Sequence, residues 1–538
     1  MNAPDPRSAT VAPADPTDIT SDDPGYSGTV GRAMVWQSLS TGLAKILSFF
    51  AQIVLGWLLL DDDFGAYAIG LSVVSFLGVF RAGGARELMI QGGAKNYDEL
   101  AGPLFWMAVA FDVGSGILIG GAAPLVGAFY GRSDITWVIL IAASTIPMGT
   151  PGVMLTAKLI ADLRFKELAI SVASVNVVRY VGAIIFASMG FGALSFVLPV
   201  PLMCLVEFLI GRHFVRDRPW HRPAQPRRWP GLFSRSRWII FTTFTGSVIA
   251  QGENIIIGAF VPAGVLGVFF FAKQIVQQTG VLLAWNFHQV LFPTFSRMDD
   301  DRERQERAIV RALAALSLAS AAFMGIQAAT FGPLEHFLWR GKWDAAVLPM
   351  QIAAVLYPMR MLYTVAEAAC AARLRFKLLG AAMVILGAVL VASAAIGAKL
   401  WGTPVAMMAC TAGTTAAASL ILNSITLKLL GVRRRDAARA TLPAWIVGAI
   451  AVALAFADDR LAATLAPNST AWSRPAQMVF DALRVGVLGS LFGTLTLALA
   501  RAFFPGALLE LLKAIPRGWG LRLASRLRLD LFEPSPAA

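Results

Sequence analysis

About fourteen apolar runs, each long enough to cross a bilayer, occupy most of this 538-residue chain. A helix needs roughly 20 apolar residues to span the hydrocarbon. Lipid offers the backbone no hydrogen-bond partners, so only helices or closed barrels can cross it. The runs lie near residues 33–60, 66–85, 101–129, 135–157, 168–189, 190–211, 238–260, 265–292, 309–331, 346–369, 378–397, 402–427, 441–457 and 476–504. They are much longer than the roughly ten residues of a membrane strand, and no strand alternation is present. The fold class is therefore all-α: a polytopic membrane protein of about 14 transmembrane helices. Charged residues make up only 15% of the chain, against about 25% in a soluble domain. The loops between runs are too short to hold a soluble domain.

The net charge of +13 would suit a nucleic-acid partner, but its distribution excludes that reading. With the N-terminus cytoplasmic, the inside segments carry 35 Lys and Arg. The outside loops carry six: Arg132, Arg340, Lys342, Lys399, Arg460 and Arg474. Such an asymmetry sets the orientation of a multi-pass protein. It puts both termini on the cytoplasmic side and makes anionic membrane lipids the natural neighbours of the basic charge. Residues 1–32 begin with a Pro- and Asp-rich stretch that cannot bury enough apolar surface to order itself, and they read as a cytoplasmic tail. Residues 505–538 alternate Leu509, Leu512, Trp519, Leu523 and Leu527 with Lys513, Arg517, Arg522, Arg526 and Arg528. That pattern suits an amphipathic helix on the inner leaflet.

Two internal matches divide the chain. Leu163-Arg164-Phe165-Lys166 recurs as Leu374-Arg375-Phe376-Lys377, each after the fourth run of its half. Gln52–Ala68 lies without a gap on Asn254–Phe270 and matches Gly56 to Gly258 and Gly65 to Gly267. A duplication with a short insertion explains both offsets. It predicts two six-helix lobes, 33–211 and 238–427, in parallel repeat. The segment 212–237 forms the cytoplasmic linker, anchored by Trp220, Trp229 and Trp238, and helices 13 and 14 follow at 441–504. In this scheme the repeated tetrapeptide is a topological anchor, and a cavity lies between the halves it marks. Two lobes of this kind point to transport more than to chemistry.

Ionisable groups inside a membrane face a cavity or a partner. They are Lys45 in span one, Asp112 in span three, Arg179 in span five, Glu253 in span seven, Lys273 in span eight and Arg360 in span ten. Arg81 sits at the inner end of span two. The cations Lys45, Arg81, Arg179, Lys273 and Arg360, converging on a cavity, would suit a phosphate or pyrophosphate. Glu253 and Asp112 are candidate coupling carboxylates. Structural alternatives stand beside these roles: a Lys45–Asp112 ion pair, a Glu253 satisfied by Asn254 or Lys273, a snorkelling Lys273, and Arg81 as a topology residue. Asp481 and Arg484 read as a local pair on one helical face. Trp285, Phe287, His288, Tyr357 and Tyr363 are aromatics that could stack on sugar rings or simply pack.

Enzymatic signatures are absent. His213, His221, His288 and His336 form no catalytic or metal spacing, no phosphate-binding glycine loop follows a strand, and no cofactor is implied. Cys204, Cys370 and Cys410 read as small hydrophobes.

Three segments together resemble a known family. Span one into two reads Gln52-Ile53-Val54-Leu55-Gly56-Trp57, then Asp61-Asp62-Asp63-Phe64-Gly65-Ala66-Tyr67. Span seven into eight reads Glu253-Asn254-Ile255-Ile256-Ile257-Gly258, then Leu266-Gly267-Val268-Phe269-Phe270-Phe271-Ala272. Phe292-Pro293-Thr294-Phe295-Ser296-Arg297 precedes an acidic run, Asp299-Asp300-Asp301. Over roughly residues 30–430 this is similar to the polysaccharide transporter, or oligosaccharide flippase, family of the multidrug/oligosaccharidyl-lipid/polysaccharide exporter superfamily. The resemblance implies alternating access and a polyprenyl-pyrophosphate-linked oligosaccharide as cargo. It also implies neighbouring polysaccharide polymerase or export machinery, and an acidic residue at the position of Glu253. Where the family commonly ends span two with an Asp-Leu-Gly-like turn, this chain has Phe80-Arg81-Ala82-Gly83-Gly84, which adds a cation there. The rival readings are a peptidoglycan lipid-precursor flippase, a cation-coupled drug antiporter and, from another class, a membrane polysaccharide polymerase. A drug antiporter should prefer an acidic cavity, and a polymerase a large outer loop.

Overall fold

The computed structural model describes residues 24–78, 83–93, 96–296, 301–465 and 473–513, with positions 298, 525 and 527. Seventeen helices follow one another: α1 Pro24–Leu58, α2 Asp61–Leu77, α3 Ala85–Gly92, α4 Tyr97–Tyr130, α5 Ser133–Ala161, α6 Phe165–Ser188, α7 Val200–Phe214, α8 Trp229–Gly258, α9 Ala263–Ser296, α10 Arg302–Trp339, α11 Asp344–Met361, α12 Tyr363–Ala372, α13 Phe376–Leu400, α14 Pro404–Leu429, α15 Arg434–Leu465, α16 Arg474–Phe503 and α17 Pro505–Lys513. No strand occurs among the described residues. Among the described residues, eleven spans are long and apolar enough to cross a membrane. The runs expected near 66–85, 238–260 and 265–292 fall on α2, α8 and α9, which are not among the eleven.

Two boundaries differ from expectation. Helix α1 begins at Pro24, within the segment whose composition reads as a tail; residues 1–23 lie outside the described residues. Proline is at home in a first helical turn, where its missing N–H has no partner to lose. In the C-terminal segment, α17 buries Leu508, Leu509 and Leu512 and packs on α10 and α16. Its apolar face is thus taken by the protein.

In the first half, α4 packs on α5, α1 on α6, and α5 on α7 and α2. In the second, α13 and α11 pack on α14, and α9 packs on α11 and α12. Helices α15 and α16 lie against α10. The halves meet chiefly where α2 lies against α8 and α9. There each matched glycine faces the helix that carries the other. A Cβ on Gly65 would collide with the carbonyl of Ala263, and one on Gly267 with the carbonyl of Asp61. Residue 263 stands to 267 as 61 stands to 65, so the contact is its own mirror under a two-fold rotation. Backbones approach this closely only where no side chain intervenes.

The repeated tetrapeptide builds the same turn twice. Leu163 and Leu374 both adopt left-handed backbone, at φ 57° and 55°. The Arg164 N–H donates to Leu159 O at 2.8 Å and the Arg375 N–H to Cys370 O at 2.9 Å. The Leu163 and Leu374 N–H groups close the inner bonds, to Ile160 O and Ala371 O. This is a helix-ending turn normally occupied by glycine. The arginine then reaches sideways. Arg164 Nη1 donates to Phe214 O at the end of α7 (2.9 Å), and Arg375 Nη1 to Leu429 O at the end of α14 (3.2 Å). Carbonyls of a last helical turn lack intrahelical partners, so each arginine caps the sixth span of its own half.

A third device joins the halves at the end where α1 gives way to α2. The turn between α10 and α11 satisfies the open carbonyls of α1. Trp339 Nε1 donates to Ile53 O (3.0 Å), Trp343 Nε1 to Gly56 O (3.0 Å), and Lys342 Nζ to Trp57 O (2.9 Å) and Leu59 O (2.7 Å). The Trp343 ring stacks on Phe271 at 3.9 Å, and Phe64 meets both edge-on. Burial holds the Lys342 ammonium below its usual pKa, against the opposing pull of Asp63 and Asp61.

The linker is strapped to the first half. Trp106 Nε1 donates to Arg222 O (3.2 Å), the Arg222 guanidinium reaches Asp98 and Asp217, and Trp220 packs on Phe105 and Phe208. Tryptophan and arginine fix this connector by contact, so it is less free than a solvated linker.

Candidate functional site

A cavity of about 580 Å³ lies inside the second half, walled by α8, α9, α11, α12, α13 and α14. Three of the ionisable residues singled out from sequence line it: Glu253, Lys273 and Arg360. Glu253 on α8 is buried and closes an ion pair with Lys273 on α9. Of its two candidate partners, Lys273 holds it, and Asn254 donates instead to Gln251 at 2.9 Å. Arg360 donates to the Tyr357 hydroxyl at 3.2 Å, its guanidinium 5.5 Å from that ring's centre.

The path of the backbone explains this gathering. The tenth span breaks at Leu362, between α11 and α12, one turn after Pro358. Proline withholds an N–H from the helix ladder and crowds the preceding turn. The break brings Arg360 and, on the next helix, Tyr363, Thr364 and Glu367 to the same cavity. Glu253 and Glu367 against Lys273 and Arg360 leave the lining formally neutral. From the first half, Ser72 Oγ donates to Gln251 Oε1 at 3.3 Å, so this cavity abuts the line where the halves meet.

The first half is different. Lys45 on α1 and Arg179 on α6 are near enough for their charges to interact, on helices that pack together. Arg179 lies beside Tyr67 and Tyr180. Among the described residues, neither cation has an acidic partner within ion-pair distance. Asp112 turns to α5, where Thr150 Oγ1 donates to it at 2.6 Å, rather than to Lys45. Arg81 lies outside the described residues. Of the four described cations, only Lys273 and Arg360 line this cavity, and Lys45 and Arg179 lie on packed helices of the other half.

The Asp481–Arg484 pair forms at 3.3 Å, and Arg484 also grips Asp458 on α15 at 3.1 Å. Asp458 escaped notice because the apolar run stops at 457, while the helix continues to Leu465. Arg484, with Asp459, lines a second cavity of about 670 Å³ between α10, α11, α15 and α16. One expectation about the histidines is revised. Glu335, His336 and Asp344 bring potential ligand atoms within 4.8 Å of one another. Glu335 already accepts from the N–H groups of Gly341 (3.0 Å) and Trp343 (2.7 Å), which shapes the turn that caps α1. Of the aromatics, Tyr357 and Tyr363 line the first cavity. Phe287 packs against the core, and the side chains of Trp285 and His288 lie outside the described residues.

Sequence reasoning missed the polar residues of α14 that also line the first cavity: Thr411, Thr415 and Ser419. Their four-residue spacing was the available signal, since it puts all three on one helical face.

Comparison with known proteins adds an independent line. The family described as "polysaccharide biosynthesis protein" matches residues 54–348. The succinoglycan biosynthesis transport protein ExoT of Rhizobium meliloti (strain 1021) is 25% identical over 331 residues, which are 59% of this chain and 64% of ExoT. The lipopolysaccharide biosynthesis protein WzxC of Escherichia coli (strain K12) is 18% identical over 331 residues, 60% of this chain and 66% of WzxC. The chain thus matches just under two thirds of the length of each relative. In fold it is similar to the lipid II flippase MurJ in an inward closed conformation, with a TM-score of 0.63 at 13% identity, over 86% of this chain and 98% of MurJ. It is also similar to an inward-facing multidrug resistance MATE family transporter of the MOP superfamily, with a TM-score of 0.54 at 14% identity, over 73% of this chain and 95% of that one.

Proposed function

Since this chain belongs to the polysaccharide biosynthesis protein family, we propose that it flips a polyprenyl-pyrophosphate-linked oligosaccharide across the bacterial inner membrane. Both termini are cytoplasmic, and the exported unit serves exopolysaccharide or O-antigen synthesis by a polymerase on the outer side. One observation carries the reading: Lys45 and Arg179 lie on packed membrane-spanning helices, near enough for their charges to interact, and among the described residues neither forms an ion pair with a carboxylate. Two like charges in a region of low dielectric repel strongly, and a bridging dianion relieves them. A pyrophosphate supplies that charge, and arginine matches its oxygens two at a time.

The two halves would then rock about the close approach at Gly65 and Gly267, opening the pyrophosphate site to one side at a time. The polyprenyl tail stays in lipid throughout. Arg81 is a further cation at the cytoplasmic entrance, while Arg360 stays within the formally neutral lining of the second-half cavity. Glu253, closed on Lys273, neutralises that cation within the second half. Asp112, held by Thr150, is assigned a structural role.

Cations without an ion-pair partner among the described residues of the first half disfavour a carrier of cationic drugs. Native mass spectrometry of the purified protein tests the assignment against a lipid-precursor flippase. The expected result is a bound mass equal to polyprenyl pyrophosphate plus several hexose units. Ordinary phospholipid alone would contradict the proposal, and a lipid-linked muropeptide would replace it.

A further inference from the structure

The second-half cavity has one wall of unusual chemistry. Along α14, Thr411, Thr415, Ser419, Asn423 and Thr426 follow at steps of four, four, four and three residues, and all five are buried. They form one continuous polar face turned inward. Serine and threonine in membrane helices ordinarily donate to a carbonyl three or four residues back. Thr411 does so, to Met407 O at 2.8 Å. Thr415 and Ser419 do not. Thr415 is 8% exposed and Ser419 fully buried, both line the cavity, and neither hydroxyl has a hydrogen-bond partner among the described residues. One turn on, Asn423 Oδ1 is likewise without a partner.

Buried hydroxyls left unpaired are unfavourable, and sites of this kind are completed by what they bind. The rest of the lining narrows the chemistry. Glu253 and Glu367 balance Lys273 and Arg360, so nothing favours an anion, and the Tyr357 ring offers a flat apolar face. At about 580 Å³ the cavity has the size of a small-molecule site. Resting on the flippase reading, we infer that this cavity receives the sugar portion of the substrate. Thr415 and Ser419 bond its ring hydroxyls, while Lys45 and Arg179 hold the pyrophosphate in the other half. One substrate is then read by two halves of different chemistry, a charged site and a neutral polyhydroxyl site.

The test uses purified full-length protein and two probes from producing cells: polyprenyl pyrophosphate carrying its tetrasaccharide or longer unit, and the same lipid stripped of sugar. Binding is read by intrinsic tryptophan fluorescence, with thermal unfolding alongside. The double variant Thr415→Val/Ser419→Ala should bind the sugar-bearing lipid about tenfold more weakly, bind the stripped lipid unchanged, and unfold at the same or a higher temperature. The hydroxyl-retaining Thr415→Ser should behave as the parent. Lys45→Gln/Arg179→Gln should weaken both lipids alike. If the double variant still prefers the sugar-bearing lipid as the parent does, the sugar site is wrong while the flippase reading stands. If the parent binds neither lipid, both fail. If the free oligosaccharide competes as well as the lipid-linked form, the site serves a soluble sugar and the assignment is overturned. Should the double variant unfold, Ser419→Ala alone carries the same comparison.

Discussion

In the first half, Lys45 and Arg179 lie on packed helices, near enough for their charges to interact, and neither forms an ion pair with an acid among the described residues; in the second, Glu253 closes on Lys273, and the cavity around them is formally neutral. The ends of the two halves show no such divergence. Gly65 and Gly267 meet each other's backbone in mirrored fashion. Arg164 and Arg375 cap the carbonyls of Phe214 and Leu429 from matching turns. Duplication explains the shared parts, since a packing solution that works once works again under the same rotation. It does not explain the interiors. Side chains there answer to what occupies the space between helices, and a ligand with one charged and one neutral part asks different things of each half.

Mutations can break or sharpen this contrast. The largest effect is expected at the shared glycines. Gly65→Leu and Gly267→Leu each drive a side chain into a backbone carbonyl, and each should cost more than about 4 kcal/mol or prevent assembly. Fluorescence-detected size-exclusion chromatography reads this directly. A severe effect at one glycine alone would break the symmetry argument.

Next come the interiors, where the halves should respond oppositely. Glu253→Gln strands Lys273 and should destabilise by about 3–5 kcal/mol in detergent unfolding. Lys45→Gln should leave stability unchanged or raise it, because it removes repulsion from Arg179. Equal losses from the two would erase the distinction between a paired and an unpaired interior. Smaller effects follow at the repeated arginines. Arg375→Ala removes one charge-assisted bond at an exposed site and should cost at most about 1 kcal/mol, and Arg164→Ala, which also loses the ion pair with Glu167, should cost slightly more. Smallest of all, Leu163→Gly and Leu374→Gly relieve left-handed strain and should stabilise by at most about 1 kcal/mol. A loss from either leucine would mean that its side chain packs more than the turn suggests.

Much of the scaffold is legible in the sequence because lipid leaves the backbone so few choices. Apolar runs locate helices, and the matched glycines mark where the halves touch. The contacts that hold it were not legible. Which carbonyl Arg164 reaches depends on α7 arriving from fifty residues further along, and no local pattern encodes that. The partner of Glu253 was open between Asn254 and Lys273 until α8 and α9 were set side by side. The break at Leu362 was hidden because a window average sees Asp344–Ala372 as one apolar span. The hydroxyl face of α14 was visible at four-residue spacing. It passed unremarked because such residues usually satisfy themselves within their own helix, and only the structure reveals that two of them do not.

The central claim is that charge in the first half belongs to the substrate and charge in the second half belongs largely to the protein. Translocation of polyprenyl-pyrophosphate-linked oligosaccharide in proteoliposomes tests it most directly, comparing Lys45→Gln/Arg179→Gln with Glu253→Gln/Lys273→Met. The first pair should fold normally and lose translocation by about a hundredfold, an effect of about 2.7 kcal/mol on a passing charged group. The second, which removes the ion pair whole, should retain most of its rate. Normal transport in the first variant with loss in the second would contradict the account.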